Sequence, residues 1–177
     1  YKVVAKYRDN EIKPLLFPSI IERVAKHYNK AFVLIEINDL GQQVADNLQF
    51  EIEYDNVMMC TQRGRSGQVL GGGFSGRGNQ LGLRMTKGTK RIGTSNLKSL
   101  IEGDKLVITD FDSISDLSTF ISKGKSWETD SGSTDDLVMC CVMFGWLANQ
   151  AYFKELTDVD IRGQMFSEQQ NAIEADM

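Results

Sequence analysis

The stretch Ala31-Phe32-Val33-Leu34-Ile35-Glu36-Ile37 decides how this chain folds. Six of its seven residues are apolar, and several are β-branched. A strand with one wet face would alternate polar and apolar residues, whereas a near-continuous apolar run suits a strand covered on both faces. The stretch is therefore read as a central strand with a layer on each side. Glu36 is the exception. An unpaired carboxylate buried there would cost several kcal/mol, so something must compensate: a metal ion, a basic partner, or a mouth of solvent at the strand end. An ion pair with Lys or Arg, or simple exposure, accounts for it equally well from composition. The carboxyl ends of parallel strands are where α/β domains place ligands, which tips the reading towards function.

Working outward, strand and helix signals alternate. Lys2–Arg8 has strand composition, with a turn at Asp9-Asn10. A helix begins near Pro18 and carries Ile20, Ile21, Val24, Ala25 and Tyr28 at helical spacing. Gly41–Leu48 reads as a short helix and Val57–Thr61 as a buried strand. Thr94–Glu102 reads as a helix capped by Thr94 or Ser95 and stopped by Gly103. Lys105–Thr109 is a strand, Ile114–Ser122 a helix, and Ser126–Asp130 a short edge element. Ser133–Gln150 is apolar almost all round and so predicts a buried helix. The order predicts one α/β domain over 1–150 with a partly parallel mixed sheet flanked by helices. An acidic tail follows over 151–177.

The 177 residues carry a formal net charge of −4, which on its face disfavours a nucleic-acid partner. That average hides an asymmetry. Between Asn56 and Ile101 there are eight basic residues and no acid: Arg63, Arg65, Arg77, Arg84, Lys87, Lys90, Arg91 and Lys98. The remaining chain holds 12 basic and 24 acidic residues. Residues 63–93 also hold ten of the 16 glycines, so they read as a basic, Gly-rich loop or hairpin, with Val69-Leu70 set to pair with Leu81–Met85. Its Arg and Lys side chains suit phosphate contacts, and its glycines let backbone approach; a solvated surface hairpin is the plainer alternative. Cys60, Cys140 and Cys141 lack zinc-site spacing and predict buried thiols of a reducing compartment. His27 is the single histidine, which disfavours His-dependent triads and His-rich metal sites. No apolar run reaches membrane-span length, and no signal peptide is evident at the start. The opening Tyr1 predicts a piece of a longer chain.

Asp135 and Asp136 open the long helix. Ser133 with Asp136 fits a capping box, and acids suit a helix N-terminus. The functional reading is that Asp136 converges with Glu36 on Mg²⁺ or Mn²⁺, which suits phosphodiester hydrolysis without a histidine. Asp39, Asp110 and Asp112 rank lower, because turns and caps explain them. Two glycine motifs mislead. Gly71-Gly72-Gly73-Phe74-Ser75-Gly76 fits G-x-G-x-x-G, but no helix signal follows directly. Gly124-Lys125-Ser126 lacks the first P-loop glycine, since position 119 is Thr119.

Several spaced motifs occur in one order. They are Ile35-Glu36-Ile37-Asn38-Asp39-Leu40-Gly41, Lys87-Gly88-Thr89-Lys90-Arg91 with Thr94–Leu106, Gly124-Lys125-Ser126-Trp127, and Asp135-Asp136-Leu137-Val138-Met139 with Phe144-Gly145-Trp146-Leu147. Together they resemble the C-terminal nuclease domain of the large terminase subunit of myovirus-type tailed phages. The resemblance implies an RNase H-like fold and a metal-dependent endonuclease that cuts concatemeric double-stranded DNA during packaging. It implies Glu36 and Asp136 as catalytic metal ligands, Asp135 as their neighbour, and Mg²⁺ or Mn²⁺ in a two-metal arrangement. It also implies partners: an ATPase domain outside this sequence, a portal and a small terminase subunit. The place of action would be the host cytoplasm, at the procapsid portal.

The resemblance further implies a first catalytic acid on an opening strand that the sequence lacks, so the chain as it stands is expected to cut poorly or not at all. Either Tyr1–Arg8 should move into the place beside Ala31–Ile37, or a second copy should fill it in a strand-exchanged homo-oligomer. A non-catalytic DNA-binding or assembly module is the alternative function, and a nucleotide-binding α/β protein the third.

Overall fold

The computed structural model describes residues 1–62, 67–71, 78–123, 126–129 and 135–158. Helix α1 (Phe17–His27) starts with Pro18 in its first turn and presents Ile21 and buried Ala25 to the core. Helix α2 (Gly41–Asp46) runs on into a π-helical turn over Asn47–Glu51 that buries Leu48. A three-stranded antiparallel sheet follows, with β1 (Met59–Gln62) between β2 (Gln68–Gly71) and β3 (Asn79–Leu81). Cys60 of β1 faces Leu70 on one side and Gln80 on the other. Val69-Leu70 therefore does not pair with Leu81–Met85 as the sequence suggests. β1 lies between the two, with Met59 and Cys60 buried on opposite faces at its start.

Helix α3 (Lys87–Glu102) begins seven residues before the expected start at Thr94. Thr86 provides the cap, its hydroxyl accepting from the Thr89 amide at 3.1 Å, and Gly103 ends the helix as predicted. Lys87–Gly93, assigned above to the Gly-rich loop, is helical. Asp110 caps α4 (Phe111–Ser118), accepting from the Ser113 amide and hydroxyl, each at 2.8 Å. The chain then makes a hairpin of β4 (Phe120–Lys123) and β5 (Ser126–Thr129), so residues 120–122 are strand rather than the predicted helix end. Helix α5 (Asp136–Leu147) buries eight of its 12 residues, and 151–158, the first part of the predicted tail, is helical. The proposed capping box at Ser133 and the Gly124-Lys125-Ser126 motif lie wholly or partly outside the described residues.

The Ala31–Ile37 stretch is extended and paired on one edge. Val33 donates to Asn56 O at 2.9 Å, Met58 to Val33 O at 2.8 Å, Leu83 to Ile35 O at 2.7 Å and Ile37 to Leu83 O at 3.0 Å, all in parallel register. The amides and carbonyls of Phe32, Leu34 and Glu36 point to the other edge and find no hydrogen-bond partner among the described residues. Lys2–Arg8 does not fill that edge, which overturns the first of the two expected arrangements. It pairs with Val107 instead, Val3 donating to Val107 O and Val107 to Tyr1 O at 3.0 Å. Lys6, held between Asp110 and Asp112, keeps it there. An apolar groove of about 560 Å³ lies between the two segments, lined by Val3, Ile21, Phe32 and Leu34 among others.

Alternation along 57–60 divides the core. Val57 and Met59 pack with Ile37, Ala45 and Leu48 on the α1–α2 side, and Met58 and Cys60 with Leu83, Met143 and Trp146 on the α5 side. A third cluster joins Leu97 of α3 to Val138 and Val142 of α5. Helices α3 and α5 touch backbone to backbone. A Cβ on Gly93 would stand 2.4 Å from Val142 O, and one on Gly145 would stand 2.4 Å from Gly93 O. Gly145→Ala should therefore cost about 2–3 kcal/mol, through overpacking against an unyielding backbone. Gly88→Ala, on the exposed start of helix α3 with its nearest neighbour 3.7 Å away, should be neutral or stabilise by up to about 1 kcal/mol. Chemical denaturation of the two variants checks the contrast.

Candidate active site

Glu36 sits at the end of its strand, where two devices fix the backbone. The Asn38 side-chain amide donates to Met85 O at 3.0 Å, and its oxygen accepts from the Met85 amide at 2.8 Å. This pair ties the strand end to the segment that leads into α3. Gly41 closes the other side: a Cβ there would stand 1.7 Å from the Glu36 carbonyl oxygen, so only glycine lets α2 start so close. Neither feature is visible as chemistry in the sequence, although both residues lie in the motif around Glu36.

Glu36 opens into a cavity of about 800 Å³ that also contains Lys90, Asp135 and Asp136, with Phe32, Leu34, Met139 and Phe144 among its apolar walls. The three acids singled out in the sequence therefore share one cavity, although about 100 residues separate Glu36 from the other two. They differ in their partners. Lys90 Nζ lies 3.4 Å from Asp135 Oδ2, and Arg8 Nη2 lies 3.7 Å from Asp136 Oδ2 while its Nη1 reaches Asp116 at 3.6 Å. The Glu36 carboxylate makes no hydrogen bond or ion pair with a described residue. Its protonation is pushed up, first by burial, then by the charge of Asp135, while Lys90 opposes the shift.

Residues 1–145 of the 177 match the terminase RNaseH-like domain family. The chain belongs to that family. In this terminase RNaseH-like domain the mixed α/β architecture, with its small antiparallel sheet and flanking helices, is the family's fold. A nuclease-type role follows from the family.

The basic candidates of this terminase domain fall into three groups. Arg63, Arg65 and Arg77 lie outside the described residues. Arg84, Lys87 and Arg91 are exposed, and Lys87, Arg91 and Lys98 line up on one face of α3. Lys90 points instead into the acid cavity, with a side chain only 20% exposed. Asp110 and Asp112 are engaged by Lys6, and Asp39 is an exposed turn residue with φ of 49°. Cys60 and Cys141 are buried, their thiols pushed up to about 12 and about 11 by burial, whereas Cys140 is exposed, against expectation. His27 ends α1 against Tyr28, away from the acids. Arg8 and Asn38 are the site residues that sequence reasoning did not find.

The donor set suits a hard divalent cation in kind: oxygen ligands only, one of them a carboxylate without a partner among the described residues, and an ammonium standing beside another. Among the described residues no three His, Cys, Asp or Glu side chains stand close enough to hold a metal unaided. Mg²⁺ usually takes one or two carboxylates and keeps waters or substrate phosphates for the rest, so the set is compatible with it. The Glu36 shift carries a stability consequence. A carboxyl whose folded pKa is raised stabilises the fold when protonated, and that contribution is lost as pH rises through the folded value. Glu36→Gln should therefore be more stable than the wild type at pH 7, and the gap should close near pH 4. Thermal melts across that range check it.

Proposed function

We propose that this domain is the metal-dependent endonuclease of a viral DNA-packaging terminase and cuts concatemeric double-stranded DNA. One observation carries the reading: the Glu36 carboxylate, without a hydrogen bond or ion pair among the described residues, shares its cavity with Asp135 and Asp136, at the end of a sheet strand and the start of a helix. Glu36 and Asp136 are the ligands for Mg²⁺ or Mn²⁺, with Asp135 beside them. When bound, the metal supplies Lewis acidity and an activated water for phosphodiester hydrolysis. The chain itself orients the carboxylates, through Asn38 and Gly41 for Glu36 and through α5 for the two aspartates. Arg84, Lys87 and Arg91, with Arg63, Arg65 and Arg77, take DNA phosphates, neutralising charge without reading sequence. An ATPase domain, a portal, a small terminase subunit and a second copy of the chain are the proposed protein partners, in the host cytoplasm.

A second reading, a non-catalytic DNA-binding or assembly module, is favoured by the basic partners that Asp135 and Asp136 already have. Supercoiled plasmid incubated with the 177-residue chain and Mn²⁺ separates the two. The nuclease reading expects nicking, weak because among the described residues no three acids close a site, that falls to background in Glu36→Gln and Asp136→Asn. No nicking at any Mn²⁺ concentration, with salt-sensitive DNA binding intact in both variants, would support the second reading.

A further inference from the structure

Lys90 differs from every other basic residue on its helix. Lys87, Arg91 and Lys98 are exposed, whereas the Lys90 ammonium lies within the acid cavity. Two contacts hold it there. Its nitrogen is 3.4 Å from Asp135 Oδ2 and 5.3 Å from the centre of the Phe120 ring, a cation–π distance. Helix α3 packs backbone to backbone against α5 at Gly93 and Gly145, within one turn of Lys90. A partly desolvated ammonium is costly unless paired, and Glu36 and Asp135, which line one cavity, disfavour each other's charge without a cation. Each relieves the other. The positive charge therefore stands in the electrostatic place that a divalent ion would take.

We propose that Lys90 is a built-in counter-cation of the acid cavity, whose charge, held beside Asp135, opposes a divalent metal entering the cavity and thereby sets how weakly the site holds metal. The inference rests on the metal-site reading above. It assigns Lys90 a role inside the cavity, in place of the role in DNA binding that its position in a basic segment suggests.

Mn²⁺ binding to the intact 177-residue chain, without DNA, tests it by electron paramagnetic resonance. Lys90→Gln should bind Mn²⁺ about tenfold more tightly than the wild type, since a competing charge a few ångströms away is gone. Lys90→Arg should stay near the wild-type value. Unchanged or weaker binding in Lys90→Gln, with Mn²⁺ bound by the wild type and lost in Glu36→Gln, would overturn the counter-cation and leave the metal site standing. No binding in either the wild type or Lys90→Gln would overturn the metal site and this inference with it. Should Lys90→Gln fail to fold, ¹³C-dimethylated lysine signals of the wild type answer the same question. The Lys90 signal should move on Mg²⁺ addition, and a signal that stays fixed through saturation overturns the proposal.

Discussion

The backbone contact between α3 and α5 at Gly93 and Gly145 governs the rest of the structure. Each glycine occupies space that a single methyl group would fill, so the two helices approach as closely as main chains allow. That approach aligns the first turns of both helices. Lys90 comes from one and Asp135 and Asp136 from the other, and neither would reach the same cavity from helices a side chain further apart. The interhelical core of Leu97, Val138 and Val142 is built on the same contact. Packing and chemistry are here one arrangement, in which the loss of a few tenths of an ångström would be felt at both.

The strand that carries Glu36 meets this pair from a different direction. Its alternate residues feed two cores, Ile35 and Ile37 towards α1 and α2, and Leu34 towards α5. The sharing fixes the strand's rotation, so the side on which Glu36 emerges is decided by apolar neighbours and not by the acid itself. Asn38 then fixes its height by binding both polar groups of Met85, just ahead of the Thr86 cap. The acidic cavity is thus assembled from three elements whose mutual positions are set by hydrocarbon packing and two amide hydrogen bonds.

Much of this was legible in the residues. The apolar run at 31–37 and the all-round apolar helix after Asp136 announce themselves, because burial on both sides leaves no polar period to confuse the pattern. The acids were identifiable for the opposite reason, as polar groups where the local pattern made no provision for them. Less was legible where a boundary depends on a partner. Helix α3 starts at Lys87 because Thr86 is free to cap it, although Thr94-Ser95 offers an equally good cap in sequence. Residues 120–122 look helical by composition, yet Phe120 pairs and stacks with Trp127-bearing β5 and the segment becomes a strand. Lys90 could not be told from Lys87 or Arg91 by charge alone. Only the helix start, and with it the rotation of α3, turns that one side chain inward.

The open edge of the Ala31–Ile37 strand has a colloidal side. Natural sheet edges are usually guarded by lysine, proline or a bulge, which discourage a stray chain from adding on. Here the amides and carbonyls of Phe32 and Leu34, unpaired among the described residues, are flanked by an apolar groove, and Glu36 at one end is the stretch's only charge. Any extended apolar segment that reaches the edge gains both hydrogen bonds and burial. Concentration and the company the domain keeps thus become part of its solubility, alongside its own net charge.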